Sequence, residues 1–315
     1  MQHIIAVDIG GTHMRAAVYA PEKNSPIHHQ RVPSHATEPG VYERLTETIE
    51  AVWPKDGRVA AIGLASPGPL DPRTGMILAT PNIREWVNFP LGAKLSEHFG
   101  VPVYIDNDAN LACLGEWTYG AGRGHSHVLY LTISTGIGGG VISHDRLIQG
   151  FHGLATELGH VTVDPNGPLC SCGRPGHIEA FASGPAIASY VKAELAAGTK
   201  STLRADPGLT ARRVAEEALK GDALAIAAFA RAGEYLGIAV ANYLHIFDPS
   251  ILIFGGGVTQ VGDLLFKPFQ ESLRKCVFHP RYLEDLVITK ADLGDDAGLL
   301  GALALARMHH GEEPP

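Results

Sequence analysis

Five segments of the chain carry residue types whose spacing can do chemistry. The first is the turn Asp8-Ile9-Gly10-Gly11-Thr12. Glycine lets backbone N–H groups converge on an anion with no Cβ in the way, and the Thr12 hydroxyl adds a donor. Asp8 would repel a bare phosphate but can hold Mg²⁺ directly or through water, as metal–phosphate sites require. The same five residues can also be a plain hairpin turn. The second segment, STGIGGG at 134–140, puts four glycines and two hydroxyls into seven residues, which suits a polyphosphate better than a simple turn requires. The third, Gly255-Gly256-Gly257, follows an apolar run and can pack beneath a nucleoside or turn a strand into a helix. No G-x-x-x-x-G-K-[ST] occurs, and no helix follows 134–140 as a dinucleotide fingerprint needs. Together the three turns predict a nucleotide.

The fourth segment is Asp106-Asn107-Asp108-Ala109-Asn110, at the end of an apolar strand and the start of a helix. Ligand sites of α/β proteins gather at such carboxyl edges. One aspartate can accept a hydroxyl proton while its neighbours orient substrate. Asp108 can also cap the helix. A calcium loop fails, because its glycine position is Leu111 and its twelfth position Trp117. The fifth segment runs from Glu157 through His160 to Cys170, Cys172, His177 and Glu179. His160, Cys170, Cys172 and His177 are four ligands of the kind tetrahedral Zn²⁺ takes, although ordinary finger spacing would be C-x2-C. A polar loop with two free thiols is the alternative. Cys113 and Cys276 lie in apolar helical settings and read as core.

The elements that must position these groups alternate. Strands are expected at 3–7, 15–19, 59–64, 101–105, 127–133, 141–143 and 250–254. Helices are expected at 40–53, 108–118 (capped by Asp108), 183–196, 222–247 and 296–309. Two hairpins with glycine turns, about 125 residues apart, read as an internal duplication. This pattern predicts an α/β fold with helix-covered sheets. A chain of 315 residues has room for about two domains. With 45% hydrophobic and 18% charged residues, disorder is excluded. The net charge of −8 and the lack of a Lys/Arg run argue against nucleic acid. The start MQHIIAVDIGGTHM has no signal-peptide pattern, and no window nears 18 unbroken apolar residues. The expectation is a soluble, cytoplasmic protein that binds no membrane.

These residues resemble the ROK family of sugar kinases, within the sugar kinase, chaperone and actin ATPase superfamily. The resemblance runs from about Ile4 to Met308. It rests on DIGGT at 8–12, SPGPLD at 66–71, NDAN at 107–110, STGIGGG at 134–140, ATELGH at 155–160 and IEAFASG at 178–184. It implies a two-domain actin-like ATPase (ribonuclease H-like) fold whose domains close on a cleft. The smaller domain would be 1–118 plus 296–312, and the larger 119–295 would carry the zinc loop. It further implies ATP with Mg²⁺, structural Zn²⁺, and a hexose phosphorylated at its 6-hydroxyl. The catalytic aspartate falls on Asp108, not Asp106. Sugar contacts fall on Asn107, Glu157, His160 and Glu179, with Gly68 and Asn82 lining the pocket. Asp8, Gly10, Gly11 and Thr12 would serve the first phosphate region, Thr135 and Gly136 the second, and Gly256 and Gly257 the adenosine. The metal ligands would be His160, Cys170, Cys172 and His177. The family's loop usually has a third cysteine where this chain has His177. A homodimer or dimer of dimers is implied as well.

Glucose leads among the substrates because TPNIREWVNFPL resembles the corresponding segment of bacterial glucokinases. Fructose, mannose, allose, N-acetylglucosamine and N-acetylmannosamine remain alternatives, as do donors such as polyphosphate. The family's repressors carry a helix-turn-helix domain ahead of the kinase-like body, whereas seven residues precede Asp8 here. A repressor or a non-catalytic sugar sensor is therefore the lesser expectation. Actin-type or chaperone-type ATPases would lack ATELGH and IEAFASG.

Overall fold

The computed structural model describes residues 2–34, 40–56, 58–80, 83 and 85–311. The chain divides into two compact units. One comprises Met1–Val128, Gly140–Thr156 and Ala291–Pro315; the other comprises Leu129–Gly139 and Glu157–Lys290.

The first unit is built on five strands: β1 (His3–Ile9), β2 (His13–Tyr19), β3 (Pro26–Pro33), β4 (Val59–Ser66) and, after the small β5 (Leu70–Asp71)/β6 (Met76–Ile77) ribbon, β7 (Val103–Asn107). Their order is β3-β2-β1-β4-β7. The first three pair antiparallel, while β1, β4 and β7 run parallel. Register places Asp8 opposite Ala65, and Ala65 opposite Asp106. The two aspartates thus share the carboxyl edge of the parallel strands, about 10 Å apart at two strand spacings. β4 is buried along its whole length, as a central strand covered on both faces must be. Helices α1 (Val41–Val52), α2 (Leu91–Phe99) and α3 (Asp108–Tyr119) belong to this unit, as does the final helix Ala297–His309. On one side of the sheet, Ile5, Val7, Ile9, Leu45, Ile49 and Ile62 belong to a continuous apolar core. On the other side lies the final helix, close enough that a Cβ at Gly63 would stand 1.9 Å from Ala302 O. Likewise a Cβ at Gly301 would stand 1.7 Å from Leu111 O. Glycine at these positions lets helix meet strand and helix meet helix.

The second sheet has the order β10-β9-β8-β11-β12. It is made of β8 (His127–Ile133), β9 (Ile137–Ser143), β10 (Arg146–Leu147), β11 (Ile251–Gly255) and β12 (Val287–Lys290). Both sheets therefore read third-second-first-fourth-fifth, which bears out the duplication read from the two hairpins. The second unit carries α4 (Glu179–Ala182), α5 (Gly184–Ala196), α6 (Ala211–Leu219), α7 (Ala223–Phe247) and α8 (Asp263–Cys276), and the final helix is α9. By length and composition alone α7 could cross a membrane. It packs instead against α4, α5, α6 and α8 as the core helix of its unit.

Several expectations need adjusting. The helix expected at 183–196 is α5 and begins one residue later, because the Ser183 side chain caps it at Ala186 N; α4 is a separate turn before that cap. Cys113 is buried as expected, but Cys276 is exposed at the end of α8 because α8 buries Leu265, Phe269, Ser272 and Leu273 instead. β3, α2, α6, α8 and β12 were not read from the sequence. β3 and β12 are mostly solvent-facing edge strands, so they lack a buried alternating pattern.

Candidate functional site

The β1–β2 hairpin closes with Gly10 N donating to His13 O at 2.9 Å. Ser34 clamps the turn, its N–H on Thr12 O at 2.8 Å and its hydroxyl on Gly10 O at 2.6 Å. Gly11 and Thr12 are left exposed. Arg15 grips Asp8 through Nη2 and also through Nε, the latter at 3.2 Å, both on Oδ2. Arg15 also reaches Asp295 O at 2.5 Å and Asp296 Oδ1 at 3.3 Å. Desolvation raises the Asp8 pKa, and the Arg15 charge opposes that rise. A Cβ at Gly298 would come within 3.1 Å of Asp8 Oδ1, so glycine keeps that side of the carboxylate clear. A half-buried carboxylate with one oxygen engaged by Arg15 and its other side uncrowded suits a Mg²⁺ or a metal-bound water.

The two aspartates after β7 differ sharply. Asp106 is fully buried. Its Oδ1 accepts Asn107 N at 2.7 Å and Asn110 Nδ2 at 3.1 Å, and its Oδ2 accepts Gln149 Nε2 at 2.5 Å. Desolvation raises its pKa, against the lowering by these donors. Asn110 in turn accepts from the Thr156 hydroxyl at 2.8 Å, which ties the 149–156 segment to α3. Asp108 is half-buried and opens α3, its Oδ1 on Ala109 N at 2.9 Å. The expected Asp108 cap is corrected here: Asn107 is the N-cap, accepting Ala109 N at 2.9 Å and Asn110 N at 3.3 Å. Asn107 has the extended backbone a cap requires, whereas Asp108 is already helical. Gly68 sits beside this cap, since a Cβ there would lie 3.1 Å from Asn107 Nδ2. Asn82 lies outside the described residues.

In the second unit, the turn after β8 folds on itself through Ser134 N to Gly136 O at 2.8 Å, and Ser134 O accepts Gly184 N at 2.8 Å. A cavity of about 830 Å³ opens beside it. Ser134, Thr135 and Gly257 line it with Lys192, Arg212 and Glu216. That volume suits a nucleotide-sized ligand. Gly136 and Gly256 do not line it. A Cβ at Gly136 would lie 2.7 Å from Glu179 Oε2, and one at Gly256 2.3 Å from Ile133 O. Gly256 also has φ +87°, which a side chain would strain. Lys192, Arg212 and Glu216 carry no motif, lying on α5 and α6 far in sequence from the turn. Thr210 followed by Val214 and Ala218 was the available signal for α6: its side chain caps the helix at Arg213 N, and both apolar residues are buried.

The cysteine loop brings its four residues together. His160 Nδ1 stands 3.3 Å from His177 Nδ1 and 3.7 Å from Cys170 Sγ, and Cys172 Sγ stands 3.3 Å from His177 Nδ1. All four ligand atoms lie within 4.8 Å of one another. Ideal tetrahedral Zn²⁺ would set about 3.3 Å between two imidazole nitrogens and about 3.6 Å between nitrogen and sulfur. The donor set fits that ion. Gly176 makes the approach possible: at φ +77° its backbone passes so near Asp164 that a Cβ would sit 1.7 Å from Asp164 O. His160 turns Nδ1 to the cluster, leaving Nε2 for another partner. Glu157 keeps exposed surface, yet desolvation of its carboxyl raises its pKa, with His160 opposing. Glu179 Oε2 accepts Ile137 N at 3.0 Å, and its Oε1 accepts the Ser171 hydroxyl at 2.7 Å and the Cys170 thiol at 3.4 Å. Leu158, between Glu157 and His160, is fixed from below by the buried Tyr243, whose hydroxyl donates to Leu158 O at 2.5 Å.

Two α/β units with the same strand order, each with a glycine-containing turn after its first strand, belong to the actin-like ATPase class of folds. Within it, the ROK family profile matches residues 4–309, and this chain belongs to the ROK family. It is 37% identical over 316 residues to a glucokinase of Thermotoga maritima, covering 98% of each chain. Among solved structures it resembles a ROK hexokinase from Thermus thermophilus at TM-score 0.83 and 36% identity, covering 98% of this chain and 99% of that one. It also resembles a ROK family glucokinase from Streptomyces griseus in complex with glucose and AMPPNP, at TM-score 0.79 and 34% identity, covering 97% and 99%.

Proposed function

We propose that the protein is a hexokinase that transfers the γ-phosphoryl group of ATP to the 6-hydroxyl of glucose. The observation that carries this reading is end-to-end likeness to glucokinases, one of them solved with glucose and AMPPNP. Asp108 accepts the proton of the 6-hydroxyl as that oxygen attacks the γ-phosphorus in line. Its place supports the role, because it is half-buried at a strand's carboxyl edge while Asp106 is consumed by buried donors. A base of this kind contributes about 10²- to 10⁴-fold, and positioning with charge neutralisation supplies the rest.

Asn107 and the backbone at Gly68 line the sugar pocket, with Asn82 contributing. Glu157, Glu179 and His160, through Nε2, hold the remaining hydroxyls. Asp8, Gly10, Gly11 and Thr12 receive phosphate oxygens, and Asp8 would hold Mg²⁺, which neutralises phosphate charge. Thr135 and Gly136 form the second phosphate turn, with Gly256 and Gly257 on the adenosine side. His160, Cys170, Cys172 and His177 would hold Zn²⁺, which ties the loop carrying Ser171 to His160 and so stiffens the sugar site. The enzyme works in the cytoplasm, where ATP and free hexose meet, as a homodimer or dimer of dimers.

A coupled ADP-release assay with ATP-Mg²⁺ over glucose, fructose, mannose, allose and the N-acetylhexosamines tests the reading. Glucose is expected to give the highest kcat/KM. Preference for another sugar would keep the mechanism and change the substrate. No turnover with any of them, from folded protein, would overturn it.

A further inference from the structure

Ser171, the residue between the two loop cysteines, belongs to no motif used above. Its hydroxyl makes the 2.7 Å hydrogen bond to Glu179 Oε1, the shortest of the three bonds that carboxylate accepts. Glu179 begins α4, and its side chain reaches from there to two different places. Oε2 meets Ile137 N beside the phosphate turn, and Oε1 meets the cysteine loop. A carboxylate pinned at both oxygens has one rotamer, and its remaining lone pairs then point in fixed directions.

The second donor to Oε1, the Cys170 thiol at 3.4 Å, is conditional. Only a thiol, with its Sγ–H, can donate there. As a metal ligand it must be a thiolate, which has no proton to give and would repel the neighbouring carboxylate. Ser171 is then the side-chain donor that still holds Oε1. Its own position is set on either side by Cys170 and Cys172, both members of the four-residue cluster.

We propose that Ser171 is a positioning residue for the sugar site: it fixes the rotamer of Glu179 so that this carboxylate accepts a sugar hydroxyl. The inference rests on the reading that Glu179 binds the hexose. It predicts that the residue between the cysteines acts on sugar affinity and leaves metal retention unchanged.

The test uses the zinc-loaded protein and three variants, Ser171→Ala, Ser171→Thr and Glu179→Gln. Glucose affinity is read directly by calorimetry and also as KM, beside kcat, the KM for ATP, zinc content and Tm. Ser171→Ala should weaken glucose about tenfold, the size of one charge-assisted hydrogen bond at a partly exposed site. The KM for ATP, kcat within about twofold, zinc content and Tm should stay as in the parent. Ser171→Thr, which keeps the hydroxyl, should restore most of the affinity. Glu179→Gln should weaken glucose by at least as much as Ser171→Ala. Unchanged affinity in Ser171→Ala with a large loss in Glu179→Gln would overturn the role of Ser171 and leave the Glu179 reading standing. Unchanged affinity in both would overturn the Glu179 reading and the inference with it. Loss of zinc or a lowered Tm in Ser171→Ala would also overturn the proposal, by showing that the serine serves the loop itself.

Discussion

Replacing each aspartate after β7 by asparagine separates chemistry from architecture. Asp108→Asn changes a half-buried group whose hydrogen bond from Ala109 N an amide oxygen can still accept. Tm should move by no more than about 2 °C, while kcat falls about 10²- to 10⁴-fold because the amide cannot take a proton. Asp106→Asn is the opposite case. The amide oxygen can keep Asn107 N and Asn110 Nδ2, and its NH₂ group then faces Gln149 Nε2, donor against donor. Gln149 can rotate its amide to present its own oxygen, so a charged bond becomes a neutral one and nothing need stay unpaired. The burial that raises the Asp106 pKa also shows that its charge is held at a cost, and the amide relieves this. The net loss is then about 1–2 kcal/mol, or about 2–8 °C in Tm for a unit of this size. Turnover should stay within about tenfold of the parent. The assays are ADP release and calorimetric or fluorescence melting on the same preparations. If Asp106→Asn abolished turnover at a native Tm while Asp108→Asn stayed active, the base would be Asp106 and the burial reasoning would be wrong.

Other expectations follow from single contacts. Asp222 caps α7 at Ala225 N; partial burial raises its pKa, but donors from Ala225, Thr202 and Ser201 outweigh this and hold it at about 2. A depressed pKa gives stability that is present above about 4 and lost as pH falls toward 2. Asp222→Ala should therefore cost about 1 kcal/mol at pH 7, and denaturant melts should show the gap to the parent closing between pH 4 and 2. Tyr243→Phe leaves Leu158 O without its buried donor, so Tm should drop by about 2–6 °C and the KM for glucose should rise; unchanged melting would show that the carbonyl finds another partner. Cys172→Ser should lower bound zinc below one equivalent in elemental analysis, whereas His177→Cys should retain it, because a thiolate suits the same tetrahedral set. Equal zinc in the parent and Cys172→Ser would remove the metal reading.

Much of the fold was legible because buried strands and amphipathic or apolar helices leave periodic traces. β1, β2, β4, β8 and β11 were read near their observed bounds, as were α1, α3, α5, α7 and α9. The caps were the less legible part: Asn107, not Asp108, caps α3, and Ser183 stands outside α5 as its cap, since a side-chain hydrogen bond settles which residue precedes the helix. The Cys/His set was legible as four ligand types at short spacing, and the bridges Thr162↔His177 and Leu169↔Pro175 fold the loop in which they gather within 4.8 Å of one another.

What the sequence by itself determined was local: glycine turns, ligand types, apolar periodicity and the repeated hairpin. Which aspartate stays accessible was left open by composition and spacing. That was decided by the packing of Gln149 and Asn110 on Asp106, which comes from chain segments brought together only by folding. The pairing of Glu179 with Ile137 N, 42 residues away, and the pinning of Asp8 by Arg15 and of Arg15 by Asp296, 281 residues away, are of the same kind. The physical reason is that propensity and periodicity act over a few residues, whereas a buried polar group takes whichever partner the tertiary fold places within 3 Å.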